Sequence, residues 1–550
     1  MKKDAGIPLP SGYWGWQMLP VLFSFAVSCQ NAPERQVPDT RPNILLLVAD
    51  DLGYSDLGSF GGEIPTPNLD RLAASGVRFS RFHTAPMCAP TRAMLLSGND
   101  NHIAGVGRQA AQFDVFGYEG YLTDRVATVP ELLRESGYAT MMAGKWHLGG
   151  FPEANPRAKG FDRSFVLLEG VGNHFNNAGI FGDGSESHYT ENGRTAQWPA
   201  GQYSTDFYTE KLLGYLEENH GTGKPFFAYA AFTAPHWPLQ VASAHWKKFE
   251  PDYRDGYEAL RKRRLAGLKR EGLIAADSSL PLFHPDIPAW DSLTAEEKER
   301  ETRKMAIYAG MVENLDLNIG RILEYLESTG EFENTLILFL SDNGAAGEDY
   351  FSNPEIRPYI NSYYSDDTDR MGEPDSFISY GPPWAEAATG PFRYFKGYTT
   401  RGGILAPLIV SGPGVTSLNA IAPAITTVMD IAPTLFSAGG ISYPKKWKGS
   451  EVYPLRGASL WPVLTDAAES PHPDDYVFAM EHAQYGMVQK GRWKIANTQR
   501  PLNRSRFELY DLGTDPGEQH DLKDEAPEIF SEMMDAWEDY AREVRLQLPE

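Results

Sequence analysis

Pro42-Asn43-Ile44-Leu45-Leu46-Leu47-Val48-Ala49-Asp50-Asp51-Leu52-Gly53 is the stretch on which the fold turns. An unbroken apolar run of this length reads as a strand buried on both faces, the kind found in a parallel sheet covered by helices. It ends in two adjacent acids. Open α/β sheets carry their sites at the carboxyl ends of the strands, so Asp50 and Asp51 fall where chemistry is expected. The same grammar returns in Thr335-Leu336-Ile337-Leu338-Phe339-Leu340-Ser341-Asp342-Asn343-Gly344. Taken singly, an Asp-Asp or Asp-Asn after a strand is more often a turn or a helix cap. Two such pairs, each behind a buried strand, point to side-chain oxygens gathered at one sheet edge. Such a cage suits a hard cation, Ca²⁺ or Mg²⁺, better than Zn²⁺, which draws His and Cys.

Cysteine is scarce, with two among 550 residues, so each one asks for its own chemical explanation. Cys88 lies in Met87-Cys88-Ala89-Pro90-Thr91-Arg92-Ala93-Met94-Leu95-Leu96-Ser97-Gly98. Pro90 suits the first turn of a helix, because its φ is already helical and its missing N–H would have no partner there. Cys88 then sits at a helix N-terminus, where backbone N–H groups and the macrodipole favour an anion. Arg92 follows one turn later with a planar guanidinium for sulfate or phosphate. An isolated C-x-P-x-R is equally a buried thiol beside a capped helix. Two histidine segments accompany it. Gly144-Lys145-Trp146-His147-Leu148-Gly149 follows a helix from Val129 to Ser136 and a strand from Tyr138 to Met142. Lys145 and His147 share a side if strand geometry continues. Pro225 to Phe232 reads as a further buried strand running into Thr233-Ala234-Pro235-His236.

The C-x-P-x-R run resembles the pattern by which type I sulfatases mark a cysteine for oxidation to Cα-formylglycine (3-oxoalanine), and the other motifs follow in sulfatase order. The resemblance extends from about Arg41 to the C-terminal helix and looks closest to bacterial arylsulfatases of the alkaline-phosphatase superfamily. It implies an α/β fold with a mostly parallel sheet sandwiched by helices, and a smaller C-terminal subdomain of antiparallel sheet and one helix. It implies one Ca²⁺ ion, Mg²⁺ being second choice, held by Asp50, Asp51, Asp342 and Asn343. Cys88 is then the formylglycine precursor, hydrated to a geminal diol of which one hydroxyl attacks sulfur while Asp342 or a neighbour takes its proton. Arg92, Lys145 and Lys396 share the charge on the sulfuryl oxygens. His236, helped by Lys396, gives a proton to the departing oxygen, and His147 holds the second hydroxyl and helps it collapse to the aldehyde. Lys396 is placed by Gly390-Pro391-Phe392-Arg393-Tyr394-Phe395-Lys396-Gly397, similar to the family's late lysine segment. Without the resemblance it is a loop lysine among aromatics.

The aldehyde has a physical rationale. A sulfate ester on an ordinary hydroxyl must be hydrolysed at sulfur, whereas a hemiacetal-type ester can expel sulfate by breaking its carbon–oxygen bond. Activity therefore depends on a formylglycine-generating maturation system acting while the chain is unfolded. Two alternatives stand beside sulfate monoester hydrolysis. One is a formylglycine-dependent hydrolase of phosphonate monoesters or phosphodiesters; the other is a non-catalytic lipoprotein that binds sulfated glycans.

The charge of −23 excludes nucleic acid as a general partner, since a polyanion is repelled, but leaves an anionic small substrate or glycan sulfate ester open. Residues 1–29 resemble a bacterial export signal: Lys2 and Lys3, an apolar stretch from Tyr13 to Val27, and Ala26-Val27-Ser28-Cys29 as a lipobox in which Cys29 is acylated. The apolar run is short for a membrane span. Residues 30–40 then form a linker, 41–440 the catalytic domain and 441–550 the C-terminal subdomain. Localisation follows as exported, periplasmic or outer-membrane-attached in a bacterium, with the membrane touched only through the N-terminal lipid. Strand-like runs from Val477 to Leu512 and a helix marked by Ile529, Met533, Trp537, Tyr540 and Val544 make up the last subdomain. In residues 240–303, a helical insertion, Arg261-Lys262-Arg263-Arg264 reads as a solvated face; residues 345–390 read as long ordered loops forming pocket walls.

Overall fold

The computed structural model describes residues 40–548 apart from 110–111, 181–185, 351–352 and 355, together with Gly12, Trp14 and Gly15. Apart from those three early positions and residue 40, the export signal and linker expected over 1–40, with Cys29, lie outside the described residues. Among the described residues no helix is long and apolar enough to cross a membrane.

All seven residues of the strand Asn43–Ala49 are buried. Because side chains alternate, Leu45 and Leu47 enter the hydrophobic cluster on one face of the sheet, and Ile44, Leu46 and Val48 enter the cluster on the other. An alternating pattern with a polar face would have left one side to water; this run demands cover on both. The first cluster takes in the helices Ser204–Asn219 and Ala295–Ser328, the second the helices Cys88–Ser97 and Ile431–Ala438. The result is a sheet between two helical layers.

Ten of the described strands form that sheet, in the order Ala420–Ala422, Gly76–Phe79, Leu408–Ser411, Thr335–Ser341, Asn43–Ala49, Phe226–Ala231, Ala139–Lys145, Arg163–Leu167, Tyr189–Glu191 and Arg194–Ala196. Asn43–Ala49 runs parallel to both neighbours. Leu408–Ser411 is antiparallel to both of its own, and the last two strands of the series are also antiparallel. Ala49 pairs with Ser341, so the acids that follow each strand leave the sheet side by side. Gly144 pairs with Ala231, which brings Lys145 to the same edge.

Beyond the sheet, Val477–His482, Tyr485–Lys490, Trp493–Asn497 and Glu508–Asp511 form an antiparallel meander. The helix Pro527–Glu543 covers it with Met533, Trp537 and Tyr540 buried. These residues belong to the same hydrophobic cluster as Ile44 and Leu46. A buried ionic stitch crosses the boundary: the His102 ring lies between Asp100 Oδ1, 3.1 Å from Nδ1, and Glu481 Oε2, 2.9 Å from Nε2. Tyr118 donates to Glu481 at 2.8 Å and Tyr540 to Asp100 at 3.1 Å.

Two sequence expectations change. Arg261 and Arg264 are buried, while Lys262 and Arg263 between them are exposed. Arg264 grips Glu63 through two 2.9 Å bonds and also pairs with Asp56, and Arg261 donates to the Pro281 carbonyl at 3.0 Å. A four-residue basic run hides this, because helical rotation sends the first and fourth residues inward together. Residues 345–390 are also less irregular than expected, with the helices Arg357–Tyr363 and Gly381–Ala388, each carrying Pro in its first turn.

Burial works against an imidazolium at His102, yet hydrogen bonds to Asp100 and Glu481 raise its pKa to about 9. The folded value lies above the ordinary 6.5, so this group's stabilisation is complete below about 6.5 and is lost as pH rises through about 9. Melting curves from neutral pH to above 9 should show a loss of roughly 3 kcal/mol from this source. His102→Gln should flatten that limb, and an unchanged slope would refute the assignment.

Candidate active site

The turn after the first strand places Asp51 at φ 67°, in the left-handed region, and so directs two consecutive carboxylates into one buried centre. Each carboxylate has its own cation. Lys145 Nζ donates to Asp50 Oδ2 at 2.7 Å. Arg92 donates to Asp342 Oδ2 from Nε at 2.9 Å and from Nη2 at 2.7 Å. Lys396 Nζ lies 2.8 Å from Asp51 Oδ1 and 2.9 Å from Oδ2. Asn343 Nδ2 donates to Asp51 Oδ1 at 2.6 Å, and the Asp51 amide donates to Asp342 Oδ1 at 3.3 Å.

Cys88 opens the helix Cys88–Ser97, whose preceding residue Met87 supplies no side-chain cap. Its Sγ sits 3.3 Å from Asp50 Oδ1 and 3.8 Å from Asp51 Oδ1, fully buried. Burial, followed by the charges of Asp342 and Asp50, pushes the thiol well above its ordinary pKa. A thiol held neutral beside carboxylates is a poor nucleophile. Burial first, and then Asp342, pushes Asp50 up to about 7 against the pull of Lys145 and Arg92.

His236 Nδ1 is 2.6 Å from the Trp237 carbonyl, which places the proton on Nδ1. Its Nε2 faces Lys396 Nζ at 3.2 Å and Asp51 Oδ2 at 3.3 Å. Burial, with Lys396 and Lys145 nearby, drives the His236 pKa well down; burial and Lys145 do the same to His147. His147 does not arrive by continued strand alternation. The strand ends at Lys145, and His147 has φ 60°, its amide bonding to the Leu168 carbonyl at 3.3 Å. A Cβ at Gly170 would lie 2.2 Å from the His147 ring, so glycine there makes room for it.

Asp50, Asp51, Cys88 and His236 offer ligand atoms that all lie within 4.8 Å of one another. Asn343 Oδ1 is buried and has no hydrogen-bond partner. Three carboxylates and an orphaned amide oxygen fit a hard, oxygen-seeking divalent cation. The structure thus links Cys88, Arg92, Lys145, His236, Lys396, Asp50, Asp51, Asp342 and Asn343 by direct contacts, and brings His147 to the same cavity as His236 and Lys396. That cavity holds about 470 Å³. A wider depression of about 830 Å³ around Arg163 and Glu191 contains none of these groups.

Sequence reasoning passed over the supports. Glu348 Oε1 lies 3.5 Å from Lys396, and Trp237 forms part of the cavity wall. The loop carrying Lys396 is clamped from the C-terminal meander: Lys494 Nζ donates to the Thr399 carbonyl at 2.8 Å and pairs with Glu518 Oε1 at 2.6 Å. Glu518 Oε2 accepts from the Arg401 amide at 2.7 Å. The aromatic directly after a motif histidine was a usable signal for Trp237. Nothing local to Lys494 announces a partner 95 positions away.

A mostly parallel sheet with a buried cysteine, oxygen donors and cations gathered at its strand ends has the form of an ester hydrolase of the alkaline-phosphatase-like class. The sulfatase family model matches residues 42–441, and the chain belongs to that family. It is 41% identical over 533 residues to an uncharacterised sulfatase of Schizosaccharomyces pombe, covering 93% of this chain and 95% of that one. An arylsulfatase of Klebsiella aerogenes is 41% identical over 430 residues, covering 76% of this chain and 91% of its own. Among solved structures, one in complex with its substrate D-glucosamine-2-N,6-O-disulfate shares the fold at TM-score 0.61 and 23% identity, covering 92% of this chain and 98% of that one. The protein is a sulfuric ester hydrolase.

Lys494→Met should loosen the Lys396 loop and lower turnover of a nitrophenyl sulfate on the order of 10²-fold, the usual effect of a small misplacement at a reacting centre. Steady-state kinetics alongside circular dichroism checks this; full activity in a folded variant would show the clamp to be idle.

Proposed function

We propose that the protein hydrolyses sulfate monoesters of the arylsulfatase type through a formylglycine made from Cys88, releasing inorganic sulfate and an alcohol or phenol. The observation that carries this is the setting of Cys88. A neutral thiol, useless as it stands, opens a helix 3.3 Å from Asp50 in a centre balanced by Arg92, Lys145 and Lys396. Complete burial of Cys88 supports conversion before folding by a maturation system.

The hydrated formylglycine would supply the nucleophilic oxygen that the thiol cannot. One Ca²⁺, with Mg²⁺ as second choice, would be held by Asp50, Asp51, Asp342 and Asn343 and would supply Lewis-acid stabilisation of negative charge. Arg92, Lys145 and Lys396 bind and orient the sulfuryl oxygens, fixed dipoles and charges in a water-poor site. Asp342 or its neighbour Asp50 takes the proton from residue 88. The Lys396 Nζ and His236 Nε2 pair, 3.2 Å apart, holds the proton given to the leaving oxygen. His147, whose buried Nδ1 has no partner, orients the second oxygen on residue 88.

Lys2, Lys3 and the apolar stretch to Val27 support export to the periplasm or outer membrane, with Cys29 as a lipid anchor. Labelling with a radioactive fatty acid should mark the chain, and Cys29→Ser should abolish the label; equal labelling of both would remove the anchor.

Mass spectrometry of the peptide containing residue 88 should find formylglycine in active protein, and chelation should abolish turnover that Ca²⁺ restores. Asp51→Ala should remove activity while cooperative unfolding persists. An intact thiol in fully active protein would defeat the formylglycine reading, and activity indifferent to chelation would defeat the metal.

A further inference from the structure

The cavity above the reacting centre is chemically split. Its floor is His147, His236 and Lys396. Lys396 is the one Lys or Arg among the described residues lining it, and its ammonium already sits between the two oxygens of Asp51. The walls carry the opposite character. Glu169, Glu186 and Glu348 line them, with the Glu169 carboxylate held at the opening by the His188 ring, 2.5 Å away, and the His188 amide at 3.0 Å. Beside the acids the walls carry Val171, Ile180, Trp237 and Tyr350, together with the polar Gln109 and Ser187. Trp237 is 4% exposed, with Tyr350 edge-on at 4.7 Å and Phe377 at 5.7 Å, so the wall is set before anything binds.

We propose that this cavity selects the part of the substrate beyond the sulfate: an uncharged, flat, largely apolar phenol or alcohol bearing a single sulfate, with Glu169 as a discriminating residue against polysulfated glycans. The inference rests on the sulfatase reading above and adds the leaving-group class to it. One sulfate finds Lys396 at the floor, with Arg92 and Lys145 buried in the carboxylate cluster beneath it. A second sulfate or a carboxylate finds three carboxylates on the walls and, among the described lining residues, no Lys or Arg beyond Lys396 to replace its lost water. A flat ring lodged against Val171 and the exposed part of Tyr350, a wall backed by Trp237 and Ile180, gains buried apolar area with edge or offset geometry open to it. The net charge of −23 acts in the same direction at longer range, slowing the approach of polyanions.

The test uses purified full-length enzyme with residue 88 converted and Ca²⁺ present. Specificity constants are measured for 4-nitrophenyl sulfate and for glucosamine-2-N,6-O-disulfate at low and high salt. The aryl ester should be preferred on the order of 10²-fold at low salt, with the gap narrowing as salt screens the walls. Glu169→Gln should shrink the ratio of the two constants several-fold, and Trp237→Leu should raise KM for the aryl ester with a smaller change in kcat. Equal or better turnover of the disulfate, or a ratio unmoved by Glu169→Gln, overturns the proposal. Failure to cleave either ester with verified formylglycine and metal would instead overturn the sulfatase reading beneath it.

Discussion

Three carboxylates and three cations share one dry volume, and the rest of the molecule is arranged so that they can. Asp50 leans on Lys145, Asp342 on Arg92 and Asp51 on Lys396, each contact under 3 Å. Charges taken out of water in this way are tolerated only as a set, since stripping one partner leaves another buried and uncompensated, typically at about 3 to 5 kcal/mol. Five chain segments therefore have to meet within ångströms. The parallel register of Ala49 with Ser341 delivers two of them, the strand ending at Lys145 a third, the helix after Cys88 a fourth, and the loop around Lys396 the last.

Much of this was legible because it is local. A buried strand announces itself by apolar residues on both faces, and the acids at its end mark the functional edge, so Asn43–Ala49 and Thr335–Ser341 fall where the sequence reading puts them. Pro90 and the small residues around it mark the helix that Cys88 opens. What escaped depends on partners far away in sequence. The burial of Arg261 and Arg264 requires Glu63, Asp56 and Pro281 to be in place. The route of His147 depends on a left-handed turn and on an absent side chain at Gly170. No spacing rule contains either fact.

The reacting centre and its antechamber carry opposite electrostatics. The floor is built to hold an anionic head, whereas the walls offer carboxylates and the faces of Trp237 and Tyr350. Sulfatase folds accept very different alcohols, since the loops over a strand edge can change without disturbing the cluster beneath. In this chain the segments bearing Glu169 and Glu348 form the walls, and Lys396, in contact with both Asp51 and Glu348, is where walls and reacting centre join.

The grip of Lys494 and Glu518 on the backbone at Thr399 and Arg401 sets an order of events in the cell. The ribosome makes the cysteine segment early and the gripping residues almost last. On the formylglycine reading proposed above, conversion of Cys88 has most of translation available before the residues that grip the Lys396 loop have been made. A message truncated ahead of Lys494 would yield a chain with its cysteine segment intact but without the grip on the Lys396 loop.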